Sequence, residues 1–260
     1  MKRTLLLALL CLPLSAQQPD DKGANADLVA ARAANKEQCY TDAETLMLKT
    51  TTANPRSSLM WFELGTAEMG LKKYPESELA FQKALGIDST TQNSMHSEDF
   101  FSPENPGSTH TSRNTAGHTV LSNEKLNPEI VGAAYSNLGE VYARTQRIPQ
   151  AQAAYDAAAK ANPTKASLYL GNETIIFFQL GDAASQVAAA DKAIAVDPNR
   201  ALLYFFKGQG LASKATVDPQ SQKLVMPPGC IDAYRKYLAL EPNGKYAEDA
   251  KQMIAAAGLK

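Results

Sequence analysis

The chain has 260 residues and is close to electroneutral, with 26 Lys and Arg against 27 Asp and Glu. That balance gives no general electrostatic reason to bind nucleic acid, whose phosphates call for an excess of basic side chains. The length would suit one or two ordinary domains, but the apolar pattern repeats in short units that need bury their faces only against their neighbours.

The first element in chain order is a targeting signal. Lys2 and Arg3 precede an apolar run over residues 5–12, followed by Pro13, Leu14, Ser15 and Ala16, after which the chain turns polar at Gln17. A charged start, a short apolar stretch and a small-residue cleavage site predict a signal peptide, residues 1–16, cut after Ala16. The run is too short to remain as a membrane span. Leu10 stands before Cys11, where a lipidated cysteine normally follows a small residue, so plain export to a periplasmic or secreted location is expected. Residues 17–23, with Pro19, Asp20 and Asp21, read as a mobile leader.

Helical units follow. Pro55, Pro163, Pro198 and Pro242 each close a helix-like stretch, since proline lacks the N–H that a continuing helix needs and restricts the residue before it. The clearest unit reads Tyr135, Leu138, Gly139, Tyr142, then Ala151, Tyr155, Ala158, Pro163. A second reads Trp61, Leu64, Gly65, Ala67, then Tyr74, Ser77, Phe81, Ala84. The i, i+3, i+4, i+7 spacing puts these residues on one face of each helix. Gly139 removes a side chain where the second helix of the pair must come close, and small and large residues alternate so that the two faces interdigitate.

This W-x2-L-G-x2-Y…A-x3-F…P spacing resembles the tetratricopeptide repeat. The resemblance implies an all-α fold: a right-handed α-solenoid of about five tetratricopeptide-like helix pairs plus a C-terminal capping helix. Residues 24–91 hold units one and two, the first of them degenerate, and 92–127 form an irregular insertion rich in Ser, Thr, Asn and Gly. Residues 128–242 hold units three to five, with a loop insertion at about 214–229, and 243–260 form the cap and tail. Asn127 and Pro128 restart the helices as an N-cap and an N1 proline. Cys39 and Cys230 belong to repeats one and five, too far apart to bridge, and are expected unpaired, Cys230 in the slot that Ala151 fills.

The family implies a protein-protein interaction scaffold that binds a protein or peptide and carries no catalysis of its own. In such arrays the first helices line a concave groove. Helical phase puts Leu59, Phe62, Thr66, Met69, Ser136, Glu140, Arg144, Leu168, Ile175, Phe178, Leu202, Phe205 and Gln209 on it. The lysines and asparagines with which some members clamp a terminal carboxylate are missing from this set. What remains is apolar with a few polar contacts and suits an amphipathic helix or an extended apolar segment. An alternative is a structural subunit of an envelope complex, held through the convex face or the insertions. A third is a metal or substrate binder using the loop that carries His96, His110 and His118, although their spacings match no compact ligand motif. No G-x-S-x-G elbow, phosphate loop or H-E-x-x-H is present, so no enzyme activity, cofactor or metal is expected.

Overall fold

Four prolines end four helices in the same manner. Helices α2 (Tyr40–Ala53), α6 (Ile148–Ala161), α8 (Ala183–Val196) and α10 (Cys230–Leu240) each stop one residue short of a cap, Asn54, Asn162, Asp197 or Glu241, that precedes proline. The caps have φ of −126°, −136°, −138° and −135°, and each N–H still reaches back into the last turn. The proline ring thus holds its predecessor extended and turns the chain into the next unit. Two units lock that corner further: Trp61 Nε1 donates to the Pro55 carbonyl at 2.9 Å, and the Tyr204 hydroxyl donates to the Pro198 carbonyl at 3.0 Å.

The computed structural model describes residues 21–87, 127–220 and 224–258. The signal peptide, its cleavage site, Cys11, the three histidines and most of the first insertion lie outside the described residues. Five helix pairs follow in order: α1 (Asp21–Lys36) with α2, α3 (Ser58–Gly70) with α4 (Tyr74–Ala84), α5 (Pro128–Arg144) with α6, α7 (Ala166–Leu180) with α8, and α9 (Ala201–Ala212) with α10. Helix α11 (Ala247–Ala256) docks on α10. Strands β1 (Thr216–Val217) and β2 (Leu224–Val225) form a short antiparallel hairpin in the α9–α10 loop. The fold is an all-α solenoid. Helix α1 begins at Asp21, three residues inside the expected leader, so Asp21–Gly23 is helical.

Caps and turns explain the remaining boundaries. Asn127 Oδ1 accepts from the Glu129 N–H at 2.9 Å and Pro128 occupies the first turn of α5. The turns inside the first three pairs pass through Gln38, Lys72 and Gln146, all at φ of 61–62°; in the fourth pair Gly181 takes the left-handed conformation, at φ 72°. Asp182 then caps α8, its carboxylate accepting from the Ser185 N–H.

One packing device recurs across the pairs. A Cβ built on Gly65 would lie 2.9 Å from the Phe81 ring, one on Gly139 2.9 Å from Tyr155, and one on Gly208 2.9 Å from Tyr234. Each aromatic is essentially fully buried. Ala31 and Met47, sixteen residues apart like Gly65 and Phe81, are fully buried in one cluster in the first pair. The residue four before the aromatic is small: Ser77 donates to the Gly65 carbonyl at 2.8 Å, and the Cys230 thiol lies 3.4 Å from the Gly208 carbonyl. Cys39 and Cys230 are both free. The apolar interior is a chain of local clusters along the array, as expected when each unit buries its face against its neighbours.

Candidate functional site: the inner row of first helices

Each second helix packs against its own first helix and against the first helix of the following pair, and α1, α3, α5, α7 and α9 also touch one another in sequence. In a curved two-layer stack, the layer whose members stay in mutual contact lies on the inside. The inner row therefore consists of the first helices.

Positions on this row are fixed by packing. Thr174 and Ala190 take the slots of Gly139 and Tyr155 in the fourth pair, with the sizes inverted: the larger residue is on the first helix and the smaller on the second, and Glu173 takes the slot of Leu138. Glu173 is fully buried and its carboxylate meets Lys192 Nζ at 3.0 Å; Lys192 also reaches Asp156 on α6 at 2.8 Å. Burial pushes the Glu173 carboxyl up to about 7, with Lys192 opposing the shift and Asp156 adding to it. Glu68 takes the slot that Tyr142 fills in the third pair. It is 5% exposed, one carboxylate oxygen has no hydrogen-bonding partner, and burial, then Glu44 and Glu76, raise it to about 7 against the pull of Lys73 and Lys83.

The expected groove residues fall into three groups. Leu59, Phe62, Thr66 and Met69 on α3 are half-buried; the Phe62 ring lies 5.9 Å from Phe81, and Met69 packs on the same cluster. Glu140 and Arg144 pair with each other on α5, and Arg144 also reaches Gln179 of α7 at 3.4 Å, so both are engaged within the array. Leu168 and Phe178 are exposed, at 44% and 42%, while Ile175 and Leu202 pack partly against the C-terminal cluster and Gln209 is half-buried.

Two of these residues are not on an open face. Phe205 is 2% exposed: the Tyr246 ring stacks on it at 4.3 Å and 14°, with Tyr237 at 5.5 Å and Tyr234 at 6.0 Å. The segment leading into the cap covers it, and a charge placed there would be buried in the core rather than offered to a partner. Ser136 is likewise 5% exposed. In α7 the turn at Gly181 takes the place of the turn at Lys72, so the counterparts of Leu59, Thr66 and Met69 are Leu168, Ile175 and Phe178, while Leu170 and Thr174 are buried.

What the row leaves open is a cleft of about 340 Å³ at its C-terminal end. Phe178 and Gln209 from the expected set line it, together with Gln186, Ala212, Tyr234 and Met253. These last four come from α8, α9, α10 and α11, and the pattern of first helices alone does not signal those supplied by the other elements. At the opposite end, Arg32 and Asn35 of α1 hold the buried Glu63 of α3 at 2.7 and 3.0 Å.

The tetratricopeptide repeat family model matches residues 28–91 and 136–201, half of the chain. The chain belongs to the tetratricopeptide repeat family. Solved structures of this fold superpose along nearly the whole array. YrrB, a tetratricopeptide protein with an unusual peptide-binding site, aligns with TM-score 0.51 and 13% identity over 90% of this chain and 94% of its own. A MamA protein aligns with TM-score 0.52 and 14% identity over 88% and 96%, and PilF of Pseudomonas aeruginosa with TM-score 0.52 and 12% identity over 92% and 88%. At these identities the likeness is one of fold. No curated protein sequence matches the chain. Among the described residues of this tetratricopeptide protein, no group of three His, Cys, Asp or Glu side chains is placed to hold a metal ion, and no helix is long and apolar enough to cross a membrane.

Proposed function

We propose that this protein is an exported scaffold that binds a segment of a partner protein along the inner row of first helices. The tetratricopeptide fold supports a role in protein-protein interaction, a scaffold rather than a catalyst. The observation that carries the inner-face reading is the exposed Phe178 ring beside the cleft. It is a large aromatic left 42% exposed; of the other apolar residues expected on the row, only Leu168, at 44%, is as open, and the rest are half or fully buried. The export reading rests on Lys2, Arg3, the apolar run over residues 5–12 and the Ser15-Ala16 cleavage site.

Two experiments test the two halves. A photo-crosslinking residue at Gln209 should trap a protein partner in the native host, whereas the same residue at Leu79, exposed on α4, should not. Trapping from Leu79 alone would place the contact on the second helices. N-terminal sequencing of the exported chain should begin at Gln17; retention of residues 5–12 would end the export reading.

A further inference from the structure

We propose that the C-terminal cleft is an anchor pocket for one bulky, uncharged apolar side chain, such as leucine or phenylalanine, in a neutral stretch of partner peptide. The inference rests on the inner-face reading above and specifies what that face selects. The cleft, about 340 Å³, lies at the small end of the roughly 300–1,000 Å³ range of ligand sites, which suits a single large side chain with its adjoining main chain.

Its walls define the chemistry. Not one of the residues lining it is acidic or basic, so a charged side chain entering would lose its water without gaining a counter-charge. The Phe178 ring packs on Phe206 at 5.0 Å and lines the cleft while 42% exposed. Met253 of α11 supplies an adaptable apolar wall, and the recess exists because Gly181, Ala183 and Ala212 are small. The polar side chains present are neutral, the amides Gln186 and Gln209 and the hydroxyl-bearing Ser213 and Tyr234. A primary amide both donates and accepts, which matches the alternating N–H and C=O of a peptide main chain rather than a carboxylate or an ammonium. Gln186 is held in place by donating to the Phe206 carbonyl at 2.6 Å.

The test uses the whole folded chain and small probes, so it does not depend on knowing the partner. N-acetyl-leucine and N-acetyl-phenylalanine N-methylamides, titrated into isotope-labelled protein, should move the amide resonances of Gln186, Gln209, Ala212 and Met253 saturably; the lysine and aspartate counterparts should not. Ala212→Trp, which fills the recess, should weaken the leucine probe by about tenfold or more. Should that variant lose its helical circular dichroism, Phe178→Ser, at an exposed position, is expected to weaken it in the same direction. Equal shifts from the charged probes, saturation with the cleft resonances unmoved, or undiminished binding in the folded variants would each overturn the proposal. Failure of the inner-face reading shows separately, as partner crosslinking that ignores Gln209 while the probes still bind.

Discussion

The third and fourth helix pairs share a fold and differ in nearly every detail that matters. In α5–α6, Gly139 admits the buried Tyr155 ring, the turn is made by Gln146, and Arg144 ends the inner helix in an ion pair with Glu140. In α7–α8 the size pair is inverted to Thr174 and Ala190, the turn uses Gly181, and Phe178, three residues before that turn, lies exposed beside the cleft. The first arrangement joins two helices with apolar surface and leaves little to offer. The second buries the Glu173 carboxylate, which meets Lys192 of α8, and leaves an aromatic 42% exposed. A repeat fold thus varies packing and exposure from one unit to the next while keeping its helix pair.

Truncating the packing aromatic is the strongest way to break that comparison. Tyr155→Ala should cost about 3–5 kcal/mol in denaturant unfolding, the usual loss for a large aromatic removed from a core. Ala190→Gly, on the small side of the inverted pair, should cost no more than about 1 kcal/mol, the helix-propensity difference. Equal losses would mean that the two interfaces are not built differently.

The buried carboxylates give a pH signature. Glu173 and Glu68 both have folded-state values raised to about 7 from the ordinary 4.5. A group raised in this way favours folding fully below its unfolded value, and the advantage is lost as pH climbs through the folded value. Stability should therefore fall between about pH 4.5 and pH 7, by up to roughly 3 kcal/mol per group. Glu173→Gln and Glu68→Gln should each flatten the curve, and the double variant should flatten it most. A native-like slope in the double variant would assign the effect to other groups.

The turns offer the smallest and sharpest test. Gln146 holds a left-handed conformation that costs side chains bearing a Cβ, and Gly181 holds the same conformation without that cost. Gln146→Gly should stabilise by up to about 1 kcal/mol and Gly181→Ala should destabilise by about as much. Opposite signs in thermal unfolding would contradict the turn geometry.

The architecture was legible because its signals are local. Proline, glycine and the sixteen-residue aromatic spacing act through backbone geometry, and they located the pairs, the restart at Asn127 and the slot of Cys230. The inner face was less legible because exposure depends on what the rest of the chain covers. Phe205 reads as a groove residue by phase, yet Tyr246, forty-one residues later, stacks on it. Helix α7 is apolar through Ile175, Ile176, Phe177 and Phe178, so no polar side marks its inner face, and of that run only Ile175 and Phe178 stand at the counterparts of Thr66 and Met69. The cleft takes side chains from five helices, which no single helix pattern reports.

The central claim, that the inner row near Phe178 is where a partner docks, is tested most directly by affinity capture with two equally exposed sites changed to the same charge. Phe178→Asp should reduce capture by about tenfold or more, since the charge would be buried against an apolar partner, while leaving helical circular dichroism intact. Leu79→Asp, 48% exposed on α4, should leave capture unchanged. Undiminished capture by Phe178→Asp, or loss through Leu79→Asp instead, would contradict the account.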